Sequence, residues 1–127
     1  MARRDDLIGL ICGEVVKSRN LVGLDWQAVT IVFDIGAGSV SNSGFAYLAD
    51  DIIPVVSTGG TVGDYVRALR DEIKLADQRP FIQMLVQIRR SDGKIRADFE
   101  YEDSSRWGID PTNLPQMRER LRPTFSD

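Results

Sequence analysis

The stretch from Phe81 to Tyr101 constrains the chain most. It reads FIQMLVQIRR, then SDG, then KIRADFEY. Two apolar-rich runs around a turn signal predict a β-hairpin. Gly93 can take the positive φ that such a turn needs, and Asp92 can accept bonds from nearby backbone N–H groups. In the second run Ile95, Ala97, Phe99 and Tyr101 alternate with Lys94, Arg96, Asp98, Glu100 and Glu102. In the first, Ile82, Met84, Val86 and Ile88 alternate with Gln83, Leu85 and Gln87. A slip of one residue would turn every side chain to the wrong face, so the pattern sets the register. It predicts a hairpin with one face in the core and one mostly polar face. Ile95, Ala97 and Phe99 are expected to be buried, with Arg96, Asp98 and Glu100 largely exposed.

The rest of the chain supplies partners for this hairpin. Between about residues 5 and 18, Leu7, Leu10, Ile11 and Val15 follow helical spacing. Asp5 and Asp6 at its front and Lys17 and Arg19 at its back suit the helix dipole. The β-branched and aromatic run from Trp26 to Ile35 reads as a strand. GAGSVSNS, residues 36–43, lacks the Lys-Ser/Thr ending of a phosphate-binding loop and reads as a hairpin loop. A second strand is expected over Gly44–Ala49. Pro54 would remove a ladder donor, so residues 50–60 read as an edge extension or covering loop. Thr61 can cap a helix whose Val62, Tyr65, Val66, Leu69, Ile73 and Ala76 share a face. After the hairpin, Asp110 can cap a last helix with Pro111 at its first position and Leu114, Met117 and Leu121 as its stripe. The expectation is one α+β domain over residues 1–127. It has a four-stranded antiparallel sheet with helices on one face, in the order α-β-β-α-β-β-α.

Composition narrows the chemistry. The chain has 127 residues, enough to bury a core without staples. It contains no histidine, so no His-based triad or His metal site can exist. Cys12 is the only cysteine, which allows neither an internal disulfide nor a cysteine-rich zinc site. A reducing, cytoplasmic location is the natural expectation. With 16 basic and 19 acidic residues the net charge is −3, unsuited to holding nucleic acid by bulk charge. The apolar run Leu7–Cys12 is far too short to span a bilayer. No cofactor, metal, nucleic acid or membrane partner is expected.

Asp98 and Glu100 share a strand face about 7 Å apart. Paired carboxylates can serve acid–base work or hold a hard metal, but an open polar face would leave their acidity unshifted. A solvated face or a protein-binding surface fits better than an active site. Asp98, Glu100, Glu102 and Asp103 cluster beside Arg106 and Trp107, and Trp and Arg are enriched at binding hot spots. These six are the candidate partner-binding residues, with Trp107 readable either as a core plug or as an anchor.

The run FIQMLVQIRRSDGKIRADFEYEDSSRW resembles the C-terminal signature of the YezG-like immunity (antitoxin) proteins of bacteria. The resemblance rests on an apolar strand, the turn Asp92-Gly93-Lys94, the triplet Tyr101-Glu102-Asp103 and the nearby Trp107. The N-terminal apolar helix, Trp26 before the first strand and an amphipathic helix before the hairpin agree in order. The resemblance implies a small non-enzymatic cytoplasmic protein. Such a protein would bind the C-terminal domain of a polymorphic or LXG-type toxin, often a nuclease, and block it. It assigns no contact residues; the acidic strand end is chosen because a nuclease surface that grips phosphate must be basic. The other open reading is a non-catalytic structural or regulatory α+β module that, as a homodimer, would bury the same patch against itself.

Overall fold

The computed structural model describes residues 3–35, 39–56, 60–74 and 79–124. In chain order the elements are α1 (Arg3–Val16), β1 (Ala28–Ile35), β2 (Val40–Tyr47), β3 (Ile52–Val55), α2 (Gly60–Glu72), β4 (Gln83–Arg89), β5 (Ile95–Glu100) and α3 (Leu114–Arg120). The strands form one antiparallel sheet in the order β3-β2-β1-β4-β5. The sheet therefore has five strands, and the element order is α-β-β-β-α-β-β-α.

This corrects the expected four-stranded sheet. The extra strand is β3, in the segment where Pro54 argues against pairing. Pro54 stands opposite Phe45, while Leu48 N–H donates to Asp51 O at the turn. Alternation from that bond points the Pro54 nitrogen away from β2, where no ladder donor is needed. Proline is compatible with a strand if the strand is an edge, and β3 is one. β2 also begins earlier than expected, because Val40–Ser43 pair with Val32–Ile35 instead of forming a loop. Thr61 lies inside the first turn of α2 rather than before it. Asp110 caps a turn, its Oδ1 accepting from Thr112 and Asn113 N–H at 2.8 and 3.0 Å, and α3 starts four residues later than Asp110.

The second correction concerns layers. One sheet face, carrying Val29, Ile31, Phe33, Met84, Val86 and Ile88, packs under Leu7, Ile11 and Val15 of α1 and Val62, Val66 and Leu69 of α2. The other face is covered too. Val32, Phe45, Tyr47 and Leu85 form a second core with Trp107, Met117 and Leu121. Strict in–out alternation predicts a wet outer face only when its residues are polar; here both parities of β1 and β2 carry large apolar side chains. Both faces are consequently buried in the middle strands, and α3 lies opposite α1 and α2.

Within the hairpin the turn forms as its sequence dictates. Gly93 has φ +70°. Asp92 accepts from Lys94 N–H at 3.0 Å and from Arg89 at 3.1 and 2.7 Å. The predicted burial of β5 holds only partly. Ala97 and Phe99 are half-buried and Ile95 is 42% exposed, while Asp98 and Glu100 are half-buried and Arg96 is exposed. β5 is an edge strand that α1 reaches only at its border, so its core-side residues are incompletely covered.

Candidate functional site

The predicted partner residues lie where β5 ends and the chain turns back across the second sheet face. Glu100 organises this corner. Its Oε2 accepts from the backbone N–H groups of Tyr101, Glu102 and Asp103 at 3.2, 3.0 and 3.1 Å. Its Oε1 accepts from Arg106 Nη1 at 2.9 Å. The Asp103 and Glu102 N–H groups, then Arg106, hold the Glu100 carboxyl well down, at about 2. Asp103 repeats the device one step on. Its Oδ1 takes the Ser105 hydroxyl at 2.6 Å and the Ser105 N–H at 2.9 Å, which lowers its pKa in the same sense.

The other two acids are paired with cations. Arg96 Nε donates to Asp98 at 2.9 Å and Arg79 Nη1 to Glu102 at 2.6 Å. Asp98 lines a cleft of about 210 Å³ in company with Arg96, Arg106, Arg120 and Arg122. The surface is thus a mosaic of both signs, and the four acids do not act as one uncompensated negative field. Such exposed pairs contribute little to stability individually; their effect here is to hold geometry.

Trp107 is a core residue, 5% exposed, seated against Met117 and Leu121. The Arg106 guanidinium stacks over its ring at 4.4 Å. What a visitor would meet at this point is the Arg106 cation, with the indole behind it. Of the six candidates, Glu102, Asp103 and Arg106 are exposed, Asp98 and Glu100 half-buried and Trp107 buried.

Sequence reasoning missed the buried polar side chains beneath. Gln83 is fully buried; its Nε2 donates to Ser104 O at 2.8 Å and its Oε1 accepts from Trp107 N–H at 3.4 Å. Gln83 and Glu100, directly opposite each other on β4 and β5, clasp the corner from both sides. Gln87 and Thr30 both donate to Leu121 O, at 3.2 and 2.8 Å, and the Tyr47 hydroxyl donates to Arg118 O at 2.8 Å. These bonds satisfy carbonyls that the end of α3 would otherwise leave without partners. The signal was the parity of Leu85 between Gln83 and Gln87, an apolar residue on a face assigned to water.

Among the described residues, no group of three or more His, Cys, Asp or Glu side chains could hold a metal. Cys12 is buried in α1, and desolvation pushes its thiol up to about 12. No described helix is long and apolar enough to cross a membrane. Neither a family model nor a curated protein matches this chain.

Proposed function

We propose that this chain is a non-catalytic immunity protein of the cytoplasm that binds and neutralises the C-terminal domain of a cognate toxin, a nuclease in the reading the resemblance suggests. The corner after β5 is the proposed contact, with Glu102, Asp103 and Arg106 facing the partner and Asp98 at its border within β5. Glu100 and Trp107 position these residues. One observation supports this reading above others: an exposed polar segment is fixed in place by Glu100 and Gln83 rather than left to its own entropy. Pre-organised loops lose less freedom on binding, so more of each contact appears as affinity. The mixed charge suits a partner with a patterned surface, because charge pairs of both signs fix register and exclude wrong partners.

The test is kinetic binding of wild type and of Glu102→Lys to the toxin domain encoded beside this gene, across a salt series. The Glu102 side chain takes no part in the Glu100 clasp, which uses only its backbone N–H, so the fold should survive, as circular dichroism would show. We expect association to slow about tenfold at low salt, with the difference shrinking as salt rises. Equal association rates and affinities would remove this corner from the contact. No binding by the wild type would remove the immunity reading itself.

A further inference from the structure

The two edges of the sheet are not alike. β3 carries Pro54 on its outer side, which blocks a further strand. β5 carries no proline, and among the described residues no strand lies beyond it. Arg89 N–H donates to Lys94 O at 2.9 Å across the β4–β5 ladder. By alternation the backbone groups of Lys94, Arg96, Asp98 and Glu100 point at β4, and those of Ile95, Ala97 and Phe99 point outward. Among the described residues the outward row pairs with no other strand.

Its sequence is complementary to itself. We propose that β5 pairs with β5 of a second copy of this chain, antiparallel about a two-fold axis at Ala97, giving a continuous ten-stranded sheet. In that register Ala97 faces its counterpart as a hydrogen-bonded pair, which its outward backbone groups require. Lys94 then opposes Glu100, Arg96 opposes Asp98, and Ile95 opposes Phe99. All three pairs occur twice by symmetry, and each sets opposite charge against opposite charge or apolar against apolar. Shifts by one step about the axis fail. Centring on Arg96 or on Asp98 puts like charges face to face, and centring on Ile95 or Phe99 sets Lys94 against Arg96 or Asp98 against Glu100. The axis is perpendicular to the sheet, so each face meets its own kind. Ile95, 42% exposed in the single chain, gains the Phe99 ring of the second copy as cover. The neighbouring groove, lined by Arg4, Asp5, Ile8, Gly9, Ile95 and Ala97, lies beside the same seam. The Arg96–Asp98 ion pair within one strand is at 2.9 Å; across the axis the same two residues meet again with partners exchanged.

This goes beyond the immunity reading and is measured without any toxin. Sedimentation equilibrium of the full chain at about 100 µM should give twice 14.2 kDa. Arg96→Asp and Asp98→Arg should each be monomeric at that concentration, since each places like charges opposite one another. Mixed in equal amounts they should form a heterodimer, because Asp at 96 then opposes Arg at 98 and Asp at 98 opposes Arg at 96. Recovery on mixing shows that both variants are folded and that the register is the one assigned. Ala97→Pro removes only an outward N–H, and should abolish the dimer while leaving the circular dichroism spectrum of the chain intact. A monomeric wild type at about 100 µM would overturn the proposal. So would single variants that dimerise as well as wild type, or a mixture that stays monomeric while both variants show native circular dichroism.

Discussion

Replacing Gly44 by alanine should be far more damaging than its size suggests. Gly44 sits in β2 opposite Ile31 of the central strand. A Cβ added there would lie 1.9 Å from Thr30 O, 2.8 Å from Thr30 C and 2.9 Å from Ile31 Cα. A carbon needs about 3.3 Å from a carbonyl oxygen, so the strands must part locally by roughly 1.4 Å. All three obstructing atoms are backbone, and β1 is held on its other side by β4. A ladder bond lengthened by that much is lost. Two buried groups left unpaired cost about 1–3 kcal/mol each, and removing a glycine from the unfolded chain returns roughly 0.5–1 kcal/mol. The net expectation is a loss of about 3 kcal/mol. With a urea slope of about 1.5 kcal/mol/M the midpoint should fall by about 2 M. Gly9→Ala is the matching control: the added Cβ meets nothing within 4 Å in the exposed middle of α1. It should raise stability by up to about 1 kcal/mol through helix propensity. Urea melts followed by circular dichroism decide it. A Gly44→Ala midpoint within about 0.5 M of wild type would show that β1 and β2 can separate freely and would refute the reasoning.

Two further outcomes follow from burial and charge. Phe33→Ala, at a fully buried site in the central strand, should cost about 3–5 kcal/mol. Phe99→Ala should cost about 1–3 kcal/mol, because its ring, with Phe81 at 5.0 Å and Arg4 at 5.6 Å, is half-buried on the edge strand; equal losses in denaturant melts would contradict the layer assignment. Glu100 is held near 2 from an ordinary 4.5, so its contribution to stability is present above about pH 4.5 and lost as pH falls toward 2. Glu100→Gln should flatten that acid limb for the corner, read as the pH dependence of the Trp107 indole NMR signal, and identical acid profiles would exclude the clasp.

The hairpin was readable because its signals agree. Gly93 supplies the turn, Asp92 ties it, and alternation sets the register of Met84 against Phe99 and Val86 against Ala97. The helix faces were readable from spacing at Leu7, Ile11 and Val15 of α1 and at Val62, Val66 and Leu69 of α2, whereas Leu10 is exposed, Ile73 lies past the end of α2 and Ala76 lies outside the described residues. β3 was left open between an edge extension and a covering loop, because Pro54 is a breaker in a central strand and harmless on an edge, and a sequence does not say which strand is the edge. The second core was hidden in parity. Val32 and Leu85 alternate with equally apolar neighbours and Phe45 and Tyr47 with Gly44, Ala46 and Leu48, so no face was marked as wet except on the hairpin, where Gln83 and Gln87 look like solvent-facing residues. Their amides in fact hold the carbonyls of Ser104 and Leu121. The six candidate site residues lie along β5 and the turn that follows it, and burial divides them, placing Trp107 inside and leaving Glu102 outside.

The cover of the second sheet face has a consequence for synthesis. Trp107, Met117 and Leu121 follow all five strands in the chain, and Thr30 must wait for Leu121 before its hydroxyl has a carbonyl to meet. A ribosome adds about 5–20 residues per second, so the roughly twenty residues after β5 arrive seconds behind a sheet that can already form. During that interval Val32, Phe45, Tyr47 and Leu85 are an uncovered apolar patch. A nascent chain stalled or cut before Trp107 would keep that patch open, and it is the kind of surface that holdase chaperones bind and that drives aggregation.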